Sequence, residues 1–343
     1  MELVNDVRGF MGHRRGKSTD SVVSAERPVA EGASEHQAPC IAILMGTFRG
    51  RRFLAEQMES IAAQTCSAWS VWASDDSSDD GTLEILTAFR EKWGSHRLTI
   101  RTGPGRGFRA NFLSLACDRL IDAHYFAFAD QDDLWDPDKL ARAIAWLESR
   151  PAGKPALYCA RTRLIDEAGN ALGHSPLFER PLTFANALVQ SVAGANTMVF
   201  NRAARDLLCE AGDDVDVQTH DWWTYMVVMG CGGEVFYDPH STVGYRQHGA
   251  NLVGSNADWA ARAVRARKLL AGRFRAMNQR NFLALRRLAH RLTPENRRVF
   301  EQFESARERW LIPRLIGVWR SGVYHHTRLG NFGLLAATLL KKL

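Results

Sequence analysis

The chain has 343 residues, 45% of them apolar and 24% charged, the composition of an ordinary soluble globular protein with room for one large or two modest domains. That excludes a collagen-like, coiled-coil or wholly disordered chain. No run approaches the roughly 18 uncharged apolar residues that a membrane-spanning helix needs, and the longest near the C-terminus is only 334–340. The N-terminus lacks an apolar h-region and a small-residue cleavage site, so no secretory signal is expected. Cys40, Cys66, Cys117, Cys159, Cys209 and Cys231 are scattered without a C-x-x-C pair. They read as buried thiols of a cytoplasmic protein rather than disulfides or a zinc site.

The net charge of +6 is unevenly placed: residues 256–343 carry 19 Lys/Arg against 5 Asp/Glu, which leaves residues 1–255 at −8. An acidic body with a basic tail suggests two roles rather than one uniformly basic nucleic-acid binder. Residues 1–38 are polar and without periodicity, and disorder is expected there. The chain therefore divides into 1–38, a body over 39–255 and a basic helical region over 256–343.

In chain order, apolar runs of strand length stand at 41–45, 71–73, 98–100, 125–129, 157–159, 197–200 and 235–237. Amphipathic segments of helix length stand at 53–64, 83–92, 108–121 and 139–148. Strand and helix in alternation predict an α/β fold whose mostly parallel sheet is covered on both faces. Ligands of such sheets bind beyond the carboxyl ends of the strands, so the residues after each run carry the information.

The first run leads into Gly46-Thr47-Phe48-Arg49-Gly50, which lacks G-x-G-x-x-G and disfavours a dinucleotide site. The second ends in Ser74-Asp75-Asp76-Ser77-Ser78-Asp79-Asp80-Gly81-Thr82. Asp79 and Asp80 precede a helix and are expected to supply its N-cap and first-turn charge. Asp75 and Asp76 lie on the strand end, where a carboxylate is either a local feature or an acceptor for a nucleobase or ribose. The third run precedes Gly103-Pro104-Gly105-Arg106-Gly107, a plain turn or a phosphate cradle of unfamiliar spacing.

The fourth run ends in Asp130-Gln131-Asp132-Asp133, followed by Asp136-Pro137. Asp136 with its proline reads as an N-cap. Asp130, Asp132 and Asp133 form either a solvated acidic loop or, because packed carboxylates repel one another unless a cation sits among them, a site for Mg²⁺ or Mn²⁺. Asp221 opens an apolar helical stretch as a first-turn charge or a catalytic base, and His248 lies in a polar loop as a surface histidine or a ligand.

Together these segments resemble family-2 glycosyltransferases of the GT-A fold, bacterial rhamnosyltransferases in particular. The matching residues are Thr47-Phe48, SDDSSDDGT at 74–82, GFRANF at 107–112, FADQDDLW at 128–135, GANTMVFNR at 194–202, HDWW at 220–223 and YRQHGAN at 245–251. The resemblance runs from about residue 40 to 254. It implies that Thr47 and Asp75 meet the nucleotide base, with Asp76 close by. Asp130 and Asp132 would take the D-x-D positions at the ribose and the metal-bound diphosphate, beside Asp133, with His248 as a further metal or diphosphate contact. Asp221 would be the general base, and Gly194 would begin the loop facing sugar and acceptor. Phe48-Arg49 and Ser77-Ser78 depart from the usual Tyr-Asn and Gly-Ser, and Q-x-x-R-W is missing after Asp221, which favours one sugar per encounter.

The function so implied is inverting, metal-dependent transfer of one sugar, rhamnose for preference, from a dTDP- or UDP-sugar donor to a glycan or lipid-linked acceptor in surface polysaccharide synthesis. The rival readings are a sugar nucleotidyltransferase and a non-catalytic binder of anionic surfaces or nucleic acid. The Arg-rich tail, with Trp310, Trp319 and Tyr324, either packs on the body or touches the inner face of the cytoplasmic membrane. Nucleic acid is not an expected partner, because no recognition signature accompanies the charge.

Overall fold

The fold was obtained as a computed structural model that describes residues 41–249 and 273–343. The disorder expected of 1–38, the boundary expected at 255/256 and Cys40 lie outside the described residues; the other five cysteines are free thiols. Strands β1 (Ile41–Thr47), β2 (Trp69–Asp75), β3 (Leu98–Thr102) and β4 (Tyr125–Ala129) alternate with helices α1 (Leu54–Ala62), α2 (Thr82–Trp93) and α3 (Phe108–Ala116). The four strands pair in parallel in the order β4-β1-β2-β3. Residues Ile41–Met45 of β1 are all buried, as a strand covered by helices on both faces requires. The expected α/β class with a mostly parallel sheet is what forms.

After β4 come the two-residue β5 (Leu134–Trp135), α4 (Lys139–Glu148), β6 (Ala156–Ala160), β7 (Arg163–Ile165) and β8 (Ala171–His174). A single-turn α5 (Phe184–Ala187), a 3-10 turn at Ala195–Thr197 and β9 (Val199–Asn201) follow, then α6 (Arg202–Ala211), α7 (His220–Gly230), β10 (Glu234–Asp238) and β11 (Val243–Arg246). The main sheet has seven strands, β10-β6-β9-β4-β1-β2-β3. Within it β9 runs antiparallel to both β4 and β6. A second sheet, β5-β11-β7-β8, stands beside it.

Two strand reversals position the site. Because β9 opposes β4, with Ala127 beside Val199, the residues that lead into β9 arrive at the rim where β4 ends. Asn196 reaches Asp133 for this reason. Likewise β11 opposes β5 with Gly244 beside Leu134, so Arg246 falls opposite Asp132 and Asp133.

Three local expectations are corrected by tertiary partners. The N-cap of α2 is Gly81, at φ 96°, and Asp79 instead forms a bidentate pair with Arg49 at 2.7 and 2.8 Å. Asp80 does accept from the Thr82 N–H at 3.1 Å but divides its oxygens with Arg51 N. Helix α4 starts beyond Asp136, which pairs with Arg163 at 2.8 and 2.9 Å. For Asp79 and Asp136 a guanidinium brought by folding outcompetes a cap that is worth about 1 kcal/mol, and for Asp80 a main-chain N–H from the turn after β1 shares the carboxylate.

The basic region forms α8 (Arg273–Arg287), α9 (Pro294–Glu308), α10 (Leu311–Arg320) and α11 (Arg328–Leu339). Phe282, Leu285, Phe300 and Phe303 are buried in the same apolar core as Phe126, Phe200 and Trp223. The first two of these helices are therefore built on the body, burying apolar surface at about 25 cal/mol per Å².

His220, the first residue of α7, lies in that core. Its ring stacks on Phe112 at 4.1 Å and meets Phe128 edge-on at 4.9 Å. Among the described residues neither ring nitrogen has a hydrogen-bond partner, and burial pushes its pKa down to about 3. Below pH 6.5 the unfolded chain takes up a proton that the folded chain refuses, so stability falls with pH across this window. The loss at pH 5 is about 2 kcal/mol. His220→Phe, which keeps a ring against Phe112, should reduce the drop in melting temperature between pH 7.5 and pH 5. An unchanged drop in a thermal melt would count against this account.

Candidate active site

The acidic rim lies where β4 and β2 end and where the loops entering β9, α7 and leaving β11 converge. Asp130 follows the last residue of β4 and is half-buried. Burial, and then the charges of Asp133, Asp132 and Asp221, raise its pKa well above the ordinary carboxylate value. The side chains that the sequence places at 130, 132, 133 and 221 thus share one electrostatic environment.

Asp133 is fully buried and both oxygens are engaged inside the protein. Oδ2 accepts from Asn196 Nδ2 at 2.5 Å and Oδ1 accepts from Arg246 N at 3.1 Å. Its pKa is pushed up to about 7 by burial and by Asp132, against these hydrogen bonds. Asp132 faces outward to His248, whose Nε2 lies 2.9 Å from its Oδ2. His248 also packs against Phe53, ring centres 5.0 Å apart. The rim therefore divides: Asp133 is buried and ties it to Asn196 and Arg246, while Asp130 and Asp132 are only half-buried.

Arg246 organises this division. Its buried guanidinium donates to Asp132 O at 2.9 Å, to Glu167 O at 2.6 Å and to Glu56 Oε2 at 2.7 Å, and lies over the Phe53 ring at 4.6 Å. A planar, always-charged fork suits three acceptors in different directions, which a lysine could not serve. Gln131 makes a second tie. Its amide accepts from Phe48 N and donates to Phe48 O, both at 2.9 Å, joining the turn after β1 to the turn after β4.

Asp221 sits in the first turn of α7, half-buried, with Oδ1 accepting from Trp222 N at 2.7 Å. Burial raises its pKa, opposed by hydrogen bonds from Thr219 and Trp222. A carboxylate so placed is a stronger base than a solvated one.

At the end of β2, Asp75 is buried and accepts from Thr47 Oγ1 at 2.9 Å, Ser78 N at 2.8 Å and Ser78 Oγ at 2.6 Å. Asp76 turns to the glycine turn, accepting from Gly105 N at 2.6 Å and Gly107 N at 2.9 Å. Both glycines have positive φ, 65° and 84°, a conformation that other residues adopt at a cost. Asn111, from the GFRANF segment, donates to Ser74 O at 2.8 Å. Thr47, Asp75 and Asp76 thus stand together at one end of the rim, and Gly194 leads into the turn that carries Asn196.

Sequence reasoning passed over Arg246, Asn196 and Gln131 as site residues, although each lies in a quoted motif. Arg246 stands two residues before His248, and no spacing rule marks a buried arginine. Among the described residues no three His, Cys, Asp or Glu side chains are gathered tightly enough to hold an ion by themselves. The donor set nonetheless fits a hard cation. Among the described residues no cation acts on Asp130 against the repulsion of its neighbours, and a few oxygen and imidazole donors leave positions for ligand phosphates.

An acid-rimmed, mostly parallel sheet of this kind fits the GT-A fold expected from the sequence. Residues 42–206, 165 of the 343, match the family profile "Glycosyl transferase family 2", and with the relatives below this makes the chain a glycosyltransferase. The nucleotidyltransferase and non-catalytic readings give way to it. The dTDP-rhamnosyl transferase RfbG of Shigella flexneri is 28% identical over 232 residues, covering 64% of this chain and 77% of that protein. Two solved structures share the fold. Residues 1–349 of S. aureus TarS superpose with a TM-score of 0.50 at 12% identity, over 83% of this chain and 92% of that one. GalNAc-T7 with UDP, GalNAc and Mn²⁺ gives 0.50 at 10% identity, over 85% of this chain and 56% of that one.

The charge on Arg246 is buried, so removing its guanidinium takes a donor from Asp132 O, Glu167 O and Glu56 Oε2. Arg246→Met, which strips the donors from two main-chain carbonyls, should cost about 1–3 kcal/mol of stability, whereas Arg49→Met, which breaks the exposed pair with Asp79, should leave stability nearly unchanged. Equal losses in urea titrations would refute the central role given to Arg246.

Proposed function

We propose that this rim transfers a single sugar from a nucleoside-diphosphate donor to a hydroxyl of a glycan or lipid-linked acceptor, with inversion at the anomeric carbon. The observation that carries the reading is the position of Asp221, which α7 delivers into the same half-buried acidic cluster as Asp130 and Asp132 with its pKa raised. A base is thereby held beside the residues suited to a diphosphate.

Asp130, Asp132 and His248 would hold a divalent ion, Mg²⁺ or Mn²⁺, with Asp133 behind them as their anchor. When bound, that ion supplies Lewis-acid stabilisation of charge on the departing diphosphate. The GalNAc-T7 neighbour was solved with Mn²⁺, which supports this choice of cation. Thr47 and Asp75, fixed against each other, offer the nucleotide base a preset polar edge, and Asp76 keeps the glycine turn in place alongside. Asp221 accepts the proton of the acceptor hydroxyl as its oxygen bonds to the anomeric carbon. The bond from that carbon to the diphosphate oxygen breaks, and the nucleoside diphosphate leaves. The likeness to RfbG favours dTDP-rhamnose as donor, and surface polysaccharide as the product.

Asp221→Asn should lower turnover by about 10²–10⁴ while leaving donor affinity within about twofold in calorimetry. Retention of turnover would remove Asp221 as the base. Treatment with EDTA should abolish both transfer and the thermal stabilisation by donor, and Mn²⁺ should restore both. Of dTDP-rhamnose and UDP-sugars tested in parallel, dTDP-rhamnose should raise the melting temperature most.

A further inference from the structure

Ten of the eighteen large hydrophobic side chains left exposed among the described residues fall between Trp310 and Leu340. They follow helical spacing. Ile312, Ile316 and Trp319 stand at i, i+4 and i+7 of α10, exposed by 55, 45 and 80%, and so share one face. Phe332, Leu335 and Leu339 repeat this on α11 at 69, 50 and 47%. The inward positions are occupied by Arg314 and Val318 of α10 and by Ala337 and Thr338 of α11. Arg314 donates to Leu339 O at 3.3 Å and Thr338 to Leu334 O at 2.7 Å. Amphipathicity is thus inverted, with bulky apolar groups facing out and small or polar ones facing in.

Charge accompanies this face. From Arg309 to Leu343 there are six Lys/Arg and no Asp or Glu. Arg309, Arg320, Arg328 and Lys341 are exposed, and none enters the ion pairs formed among the described residues. A second copy of the chain is a poor occupant, because a two-fold contact would lay this acid-free cationic face on itself. An anionic lipid surface answers both features, taking up indole and aliphatic groups at the headgroup level while its charge attracts the cations. No helix among the described residues is long and apolar enough to cross a membrane, so the face would lie on a bilayer rather than span it.

We propose that α10 and α11 form an in-plane docking face for an anionic bilayer. The face is rigidly tied to the body. Asn186 Nδ2 donates to Tyr324 O at 3.0 Å, and His326 N donates to Gln190 Oε1 at 2.8 Å. The turn between the two helices is therefore pinned four residues before Gly194. A bilayer met by this face lies at a fixed distance from the catalytic rim. The inference rests on exposure and charge alone and does not draw on the sugar chemistry.

The test is flotation of the whole chain, without donor or metal, on vesicles of phosphatidylcholine alone and of phosphatidylcholine with an equal part of phosphatidylglycerol. Binding is expected to the mixed vesicles only. The double variant Trp319→Glu and Phe332→Glu should weaken it at least about tenfold. Arg320→Gln with Lys341→Gln should weaken it about thirtyfold. Both double variants should keep the thermal melt of the unaltered chain, since all four positions are exposed. No vesicle binding by the unaltered chain, or equal binding to both vesicle types, overturns the proposal. So does a dimer in light scattering that the Trp319→Glu, Phe332→Glu variant dissociates while vesicle binding is unaffected. Failure of Asp221→Asn to abolish transfer would leave this result untouched, so the two readings fail separately.

Discussion

The acidic rim can exist only because one buried guanidinium holds its backbone. Four carboxylates within reach of one another raise the free energy of the fold unless their geometry is imposed by something else. Arg246 imposes it through the main chain: its fork binds Asp132 O and Glu167 O, and its own N–H binds Asp133 Oδ1. The carboxylate oxygens of Asp132 are thereby left outside these contacts and turned toward His248. A buried ion pair contributes little net stability compared with an apolar replacement. Its value here is specificity of position, because the aspartates must stay close without, among the described residues, a fixed countercharge on Asp130.

The reversed strands explain why residues scattered over 200 positions share one rim. In an all-parallel sheet, the residues preceding each strand lie at the opposite edge from the residues following it. Inverting β9 brings the entrance of that strand, with Gly194 and Asn196, to the exit of β4. The short antiparallel contact of β5 with β11 does the same for Arg246 and His248. The parallel half, β1 to β4, supplies Thr47, Asp75 and Asp130 by the ordinary rule for such sheets. Two chain directions thus feed one site, and Asn196 to Asp133 is the bond that joins them.

Much of this was legible in the amino-acid sequence, and the limits have physical causes. Each of the runs at 41–45, 71–73, 98–100 and 125–129 lies within a strand of the structure; in β1 and β4 this is because a strand buried on both faces writes itself as continuous apolar sequence. The segment at 139–148 coincides with α4, whereas the one at 108–121 overran α3, which stops at Ala116. The second sheet was invisible: β5 has two residues, and all four residues of β8 are exposed, too little for any period to register. Direction was invisible too, since nothing in 197–200 distinguishes a parallel strand from its reverse. Asp136 was read as a cap because Arg163, its partner, is 27 residues away. The acids themselves were found from their density at strand ends, but their division into a buried anchor and half-buried partners needed Asn196 and Arg246, whose roles are set entirely by distant contacts.

The basic C-terminal region, one feature by composition, is two by structure. In α8 and α9 the arginines are matched: Arg287 with Asp214 at 2.5 Å, Arg286 with Glu304 at 3.0 Å, Arg275 with Glu308 at 2.9 Å. These are exposed pairs of small individual worth, but they orient helices whose aromatic face is buried in the common core. That half of the charge is absorbed in attaching the region to the body. In α10 and α11 the acids stop after Glu308, and the bulky apolar groups turn outward in the same place. Val318 and Ala337, with Leu343, still join the common core, so these helices are attached through small side chains while their bulky ones stay exposed. The change of pattern at Glu308 therefore marks where the chain stops satisfying its own fold and begins to present a surface to something outside it.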